Sequence, residues 1–291
     1  MHAFKGGLTF LVCAGALFGV AHRTSAGQHD AMLYDSHPWA RFGKGAWRQV
    51  RIVTQSFDEQ GQPTDSSLTD NKTTVLEVTP ERVTLQMEVT VEVAGQRFPS
   101  QPQVIKQGYA GETLGEKTSV KPLEAETLTI DGQEIPCASE QIEISGGVTR
   151  EISVITFAAD RRPAILRRKS ILSDATGSKV MQELTSEVKA IDMAHRVLDS
   201  REPKDAYLVR VDQKNDRGTT ITWSWHVPEV PGEIVDQCSK KLDAMGRLVR
   251  RTTLEVVAYG VGEPADIEQV ETREGLPPSP RRPRRQQRRA K

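Results

Sequence analysis

Residues Val83–Val93 alternate without a break. Val83, Leu85, Met87, Val89, Val91 and Val93 are apolar, and Thr84, Gln86, Glu88, Thr90 and Glu92 between them are polar. Successive side chains of a strand point to opposite faces, whereas the same spacing on a helix would scatter the apolar residues around its circumference. Eleven residues of period two therefore describe a long strand with one greasy and one wet face. A strand wetted on one side belongs to an antiparallel sheet, because parallel strands are buried on both faces and read as continuous apolar runs.

The rest of the chain agrees with that start. Trp47–Phe57 reads as a strand closed by Asp58-Glu59-Gln60-Gly61, and Leu68–Val78 as its Thr-rich neighbour, ended by Pro80. Gln101–Lys121, with Gly108, Gly111 and Gly115, reads as a loop or a pair of short edge strands. Asp131-Gly132 is a tight-turn signal between Leu128–Ile130 and Glu134–Ala138. Ser145-Gly146-Gly147 turns Ile142–Ile144 into Val148–Phe157. Lys189–Lys204 is a short helix or a connection, and Tyr207–Val211 is a strand. Upstream, Ser36–Gly43 has Pro in a first turn and Gly after the last residue, which predicts a short helix or turn. Trp39 and Phe42 are spaced to plug one face together, and His37 reads as a helix-start residue rather than a ligand.

Two stretches share one grammar. Ile155–Val188 and Ile221–Val257 each run strand, Pro-containing corner, strand, Asp-x-x-Gly turn, strand. The offset is 66 residues before the corner and 69 after it, so Val227–Gly232 is a longer corner than its counterpart around Arg162-Pro163. The pair is either an internal duplication or convergent hairpin construction.

The 291 residues carry no net charge, but the charges are segregated. Arg281, Arg282, Arg284, Arg285, Arg288, Arg289 and Lys291 crowd the end, and residues 1–26 carry Lys5 and Arg23 with no acid. The remainder holds 30 basic against 39 acidic residues, a net of −9. Lys5, the apolar run Leu8–Ala21 and Thr24-Ser25-Ala26 predict a secretory signal in residues 1–26. The run is shorter than the roughly 20 residues of a spanning helix. The expected organisation is a signal at 1–26, a mobile segment with a short helix at 27–45, an antiparallel β domain at 46–260, and a disordered linker and Arg-rich tail at 261–291. Apolar residues make up 37% of the chain and aromatics only 5%, which predicts a core of Val, Ile and Leu.

Little in the chain carries catalytic grammar. It has no Gly-x-Ser-x-Gly elbow, no phosphate or dinucleotide loop, no His-Glu-x-x-His and no clustered Cys-x-x-Cys. No catalytic residue, cofactor or metal ligand is assigned. After export Cys137 and Cys238 would be either a disulfide, closing a loop worth ~4–5 kcal/mol in the chain-entropy model, or two separate thiols. Asn71-Lys72-Thr73 fits a glycosylation sequon. A binding site would have its rim at Trp223, Trp225, His226, Pro228 and Pro231. Ile221, Trp223 and Trp225 share one strand face, expected to pack inward, which leaves His226 at a rim or in solvent. The basic tail could meet an anionic surface; export argues against nucleic acid.

The signal, the long antiparallel strands, and the aromatic strand running into a Pro corner and an Asp-x-x-Gly hairpin resemble the periplasmic lipoprotein-carrier (LolA-like) superfamily. The resemblance rests on Ile155–Val188 and Ile221–Val257, with Trp47–Val93 consistent with it. It implies an incomplete β-barrel, a curved antiparallel sheet around an apolar cavity. The expectation is an exported protein of periplasm or cell exterior, non-enzymatic, that binds a hydrophobic or lipid-like ligand or an envelope partner. The alternatives are a structural module with no small ligand, or a hydrolase using dispersed acidic residues.

Overall fold

A computed structural model describes residues 32–198, 200 and 202–261. The expected signal at 1–26 and the basic tail lie outside the described residues, as do residues 27–31 and nearly all of the linker. The described chain is almost entirely β. The strands are β1 (Trp47–Phe57), β2 (Pro63–Val78), β3 (Arg82–Val93), β4 (Gln96–Pro99), β5 (Gln103–Gly108), β6 (Lys117–Ile130) and β7 (Gln133–Gly146). They continue as β8 (Thr149–Phe157), β9 (Ile165–Asp174), β10 (Val180–His195), β11 (Lys204–Asn215), β12 (Gly218–His226), β13 (Ile234–Leu242) and β14 (Leu248–Gly260).

All 14 strands form one antiparallel sheet, in the order β4-β3-β2-β1-β14-β13-β12-β11-β10-β9-β8-β7-β6, with β5 also on β3. Nearly every strand pairs with its sequence neighbour. The exception is β5, which pairs with β3 rather than with β4 or β6; β1 pairs with β14 as well as with β2, and the break between β5 and β6 leaves the sheet open. The sheet is nevertheless curled. Ile130 of β6 and Cys137 of β7 share a buried cluster with Val188 of β10 and Tyr207 and Val209 of β11. Neighbouring strands lie about 4.8 Å apart, so a flat sheet would hold β6 and β11 some five spacings from each other. Only curvature brings their side chains together.

The N-terminal segment lies across the inside of that curve. A helical turn at residues 32–36 packs Met32 and Leu33 against Ile142, Ile144, Ile155 and Phe157 of β7 and β8. A short 3-10 helix, Ala40–Phe42, follows. Trp39 then packs with Val75, Val83 and Leu85 of β2 and β3, and Phe42 sits against the same cluster, as their spacing predicted. His37 takes its predicted helix-start role, since its Nδ1 accepts the backbone N–H groups of Trp39 and Ala40, each at 3.3 Å. The fully buried side chains are dominated by Ile, Val and Leu.

Several expectations change. β3 is a strand as read, but burial does not follow its alternation: Val83 and Leu85 are buried, Thr84 between them is buried as well, and Val93 is 38% exposed. The strand outruns the segment that covers its apolar face. Lys189–Lys204 is neither helix nor simple connection, because β10 continues to His195, with irregular register past Val188, before the chain turns. The Asp131-Gly132 turn is right, with φ of 52° and 78°, but it joins strands of 14 residues each. Cys137 and Cys238 are both free thiols. They sit on β7 and β13, six strands apart in the sheet order.

Candidate functional site

The corner between β12 and β13 is a compact apolar knot. Val227 N–H donates to the Glu233 carbonyl (2.8 Å), Val230 N–H to that of Val227 (3.0 Å), and Glu233 N–H to that of Val230 (2.8 Å). Val227, Val230 and Pro231 are fully buried. The N-terminal segment docks on this knot. Gly232 N–H donates to the Pro38 carbonyl (2.9 Å), and the Trp39 indole lies so close that a Cβ on Gly232 would stand 2.5 Å from its Cζ2.

Glu233 follows at φ 60°, an unusual conformation for a residue with a side chain. Its carboxylate is buried and its surroundings come from three elements. Arg41 Nη2, from the N-terminal segment, reaches Oε1 at 2.7 Å and also donates to the Pro228 carbonyl. The Tyr207 hydroxyl, from β11, donates to Oε2. His226 Nδ1, from the end of β12, stands 3.9 Å from Oε2, beyond hydrogen-bond distance. Tyr207 and His226 are paired across β11 and β12 and stack at 4.9 Å. The other His226 nitrogen, Nε2, is 2.9 Å from Ser224 Oγ.

This arrangement sets the charges. Burial opposes ionisation of Glu233, but His226, Arg41 and Tyr207 outweigh it and hold the carboxyl below its usual range. Burial, reinforced by the carboxylate, pushes the Tyr207 phenol well above its ordinary value. Burial lowers His37 to about 4, with Glu233 pulling the other way, so its imidazole is neutral at pH 7. Arg48 donates from Nη1 to the carbonyls of Gly232 (3.0 Å) and Ile234 (2.8 Å), and its guanidinium lies 5.2 Å from the Trp39 ring centroid. Burial brings it down to about 10, so it stays charged.

Beside this anchor opens a cleft of about 500 Å³. One lip is the N-terminal segment (Met32, Asp35, Ser36, Pro38, Arg41) and the other is the corner between β8 and β9 (Arg161, Arg162, Pro163). The floor is Leu166, Val188, Tyr207 and Val209, and His226, Pro228 and Glu233 close one end. The two Pro corners thus lie at the same end of the sheet and flank one cleft. Among the described residues no group of three or more His, Cys, Asp or Glu could hold a metal ion. Nor is any helix there long and apolar enough to cross a membrane.

The five predicted rim residues separate. His226 and Pro228 line the cleft, and Pro231 is buried in the corner behind it. Trp223 and Trp225 lie on the face of β12 opposite His226, away from the cleft. Trp223 is 38% exposed with the Arg210 guanidinium 5.6 Å from its ring, whereas Trp225 is half-buried against a second apolar cluster that includes Val50, Val235 and Val256 and stacks on His195 at 5.0 Å. The inward face carries Ser224 and His226 because β11 presents Tyr207 there and Glu233 supplies the charge. Sequence reasoning missed Arg41, Arg48, Tyr207 and Glu233. The one available signal was a carboxylate directly after an otherwise apolar Val-Pro-Gly corner.

By its own geometry the chain is an all-β protein built on one open, curled antiparallel sheet. No family model matches it, and no curated protein does either. Solved structures similar to it include a proposed lipoprotein from Parabacteroides distasonis ATCC 8503, at 12% identity and TM-score 0.29, covering 74% of this chain and 97% of that one. Another is a proposed exported protein with a YmcC-like fold from Bacteroides fragilis NCTC 9343, at 10% identity and TM-score 0.28, covering 74% and 96%.

Proposed function

We propose that this is an exported cell-envelope protein, without enzymatic activity, that holds a hydrophobic or lipid-like ligand inside its curled sheet. The observation that carries the reading is the cleft: about 500 Å³, floored by buried apolar side chains and roofed by a separate segment of chain. Ligand pockets for small molecules are of this kind, about 300–1,000 Å³ with apolar walls and a few polar groups at the edge. Export rests on residues 1–26, whose basic start, apolar run and small-residue end suit a cleaved signal. The open sheet around an apolar hollow is also what the LolA-like resemblance implies.

A hydrolase reading would need a carboxylate free to act on substrate in the cleft. The Glu233 carboxylate is instead occupied by Arg41 and Tyr207, and Asp35 on the lip is left without the second free carboxylate that paired acid–base chemistry uses. The test is incubation of the purified, delipidated protein with an envelope lipid extract, followed by repurification and mass analysis. An apolar molecule retained at one per chain, and lost when Ser186→Trp, at a residue that lines the cleft, blocks it, is the expected result. Retention of nothing by the folded protein refutes the reading.

A further inference from the structure

The cleft is not electrically neutral at its mouth. Of its five arginines, three are already matched. Arg41 is paired with Glu233 (2.7 Å), Arg167 with Glu126 (2.5 Å) and Arg168 with Glu151 (3.0 Å). Arg161 and Arg162 have no ion-pair partner among the described residues, although both line the cleft. They occupy the corner between β8 and β9, directly beside the apolar floor at Leu166 and Val188. Asp35, on the opposite lip, is the one cleft carboxylate not bound to an arginine.

We propose, resting on the ligand-binding reading above, that the cleft takes a single-chain anionic amphiphile, a long-chain carboxylate, with its head at Arg161 and Arg162 and its chain along Leu166, Val188 and Val209. Two features select this class. The floor offers Leu166, Val188 and Val209 to the tail, with the Tyr207 hydroxyl taken up by Glu233, and a tail gains from every methylene removed from water. The mouth offers two unmatched guanidiniums, and a guanidinium binds a carboxylate through paired N–H donors in one plane. A neutral chain would gain from the floor alone. A cation would meet two like charges there, with only Asp35 on the opposite lip to offset them. Arg41 is no rival for the head, because its Nη2 is shared between Glu233 and the Pro228 carbonyl.

The experiment is calorimetric titration of the full exported chain with sodium dodecanoate, 1-dodecanol and dodecyltrimethylammonium, all below micelle formation and at about pH 8, where the carboxyl is ionised. Dodecanoate should bind at one per chain, about tenfold or more tighter than dodecanol, as charge-assisted hydrogen bonds require. Its affinity should fall with added salt. Arg161→Gln with Arg162→Gln should remove the preference for the acid while the thermal transition stays in place. Ser186→Trp should weaken both the acid and the alcohol. Equal binding of acid and alcohol to the unaltered protein overturns the inference and leaves the hydrophobic-ligand reading standing. An acid preference that survives the double substitution overturns the assignment to this corner, and one that survives Ser186→Trp overturns the cleft as its location. Binding of neither probe overturns both readings.

Discussion

Replacing Gly232 by Ala tests whether the N-terminal segment is docked on the β12–β13 corner. Gly232 has φ 75°, a left-handed conformation that costs a residue with a Cβ ~1–2 kcal/mol. The new Cβ would also stand 2.5 Å and 2.8 Å from Trp39 Cζ2 and Cε2 and 2.9 Å from Arg48 Cζ. Neither neighbour yields easily. Trp39 is buried among Val75, Val83 and Leu85, and Arg48 is tied to the carbonyls of Gly232 and Ile234. Overpacking of this kind costs ~1–3 kcal/mol, so the substitution should destabilise by roughly 2–5 kcal/mol in all. Gly246→Ala separates the two contributions, because Gly246 has φ 81° with no atom within 4 Å of its would-be Cβ. It should cost only the conformational ~1–2 kcal/mol. Urea unfolding of both variants, followed by tryptophan fluorescence, gives the difference directly. In a Trp39→Ala background the extra cost at Gly232 should shrink, since the two sites share one contact. Equal losses at Gly232 and Gly246 would refute the docking of Trp39 against the corner.

Other outcomes follow from the same anchor. His37 titrates near 4 when folded against about 6.5 when unfolded, so the unfolded chain takes up its proton first as pH falls. That stability is fully present above pH 6.5 and should be lost between 6.5 and 4, a total of about 3 kcal/mol. Glu233, held low, adds a further loss as pH drops through its folded value. Urea midpoints from pH 7 to 4 check this, and a His37→Gln variant with the same slope between 6.5 and 4 would contradict it. Glu233→Ala should cost about 3–5 kcal/mol by stranding Arg41 and the Tyr207 hydroxyl. A loss below 1 kcal/mol in denaturant would show the cluster to be solvated. Thermal unfolding should be indifferent to reductant, and both Cys137 and Cys238 should react with maleimide after denaturation without prior reduction. A reductant-dependent transition would restore the disulfide. Trp223→Ala should leave ligand binding by the cleft unchanged, because the ring lies on the far face. Loss of binding without loss of fold would move the site.

The architecture was legible wherever a residue acts through its nearest neighbours. Period two in Val83–Val93 declares a strand because alternation is a property of one strand alone. Asp131-Gly132 declares a turn because its two positive φ values belong to those two residues. The Ser36–Gly43 turn and the joint plug of Trp39 and Phe42 are equally local. What failed was whatever depends on the partner strand. The face of β12 could not be chosen from Ile221-Thr222-Trp223-Ser224-Trp225-His226 itself. An indole is amphipathic enough to rest on a guanidinium at the surface, as Trp223 does on Arg210, and the sheet has a second apolar cluster on that face for Trp225 to pack against. The same limit defeated the cysteines, whose separation across six strands is a matter of sheet order.

The anchor at Glu233 was hidden for a stronger reason. Its members, Arg41, Arg48, Tyr207, His226 and Glu233, come from four separate parts of the chain, and none is unusual where it stands. They meet because two independent facts coincide. β11 and β12 pair in the register that sets Tyr207 beside His226, and the chain before β1 crosses the curled sheet instead of running along its edge. A buried ionic cluster contributes little net stability compared with apolar packing of the same volume, but breaking one partner is costly. Its consequence here is positional. It fixes where the N-terminal segment crosses, and that segment forms one lip of the cleft. The long Pro corner that stood out in the sequence is therefore tied to the cleft indirectly. It holds one lip in place, while the shorter corner at Arg161-Arg162-Pro163 forms the other lip.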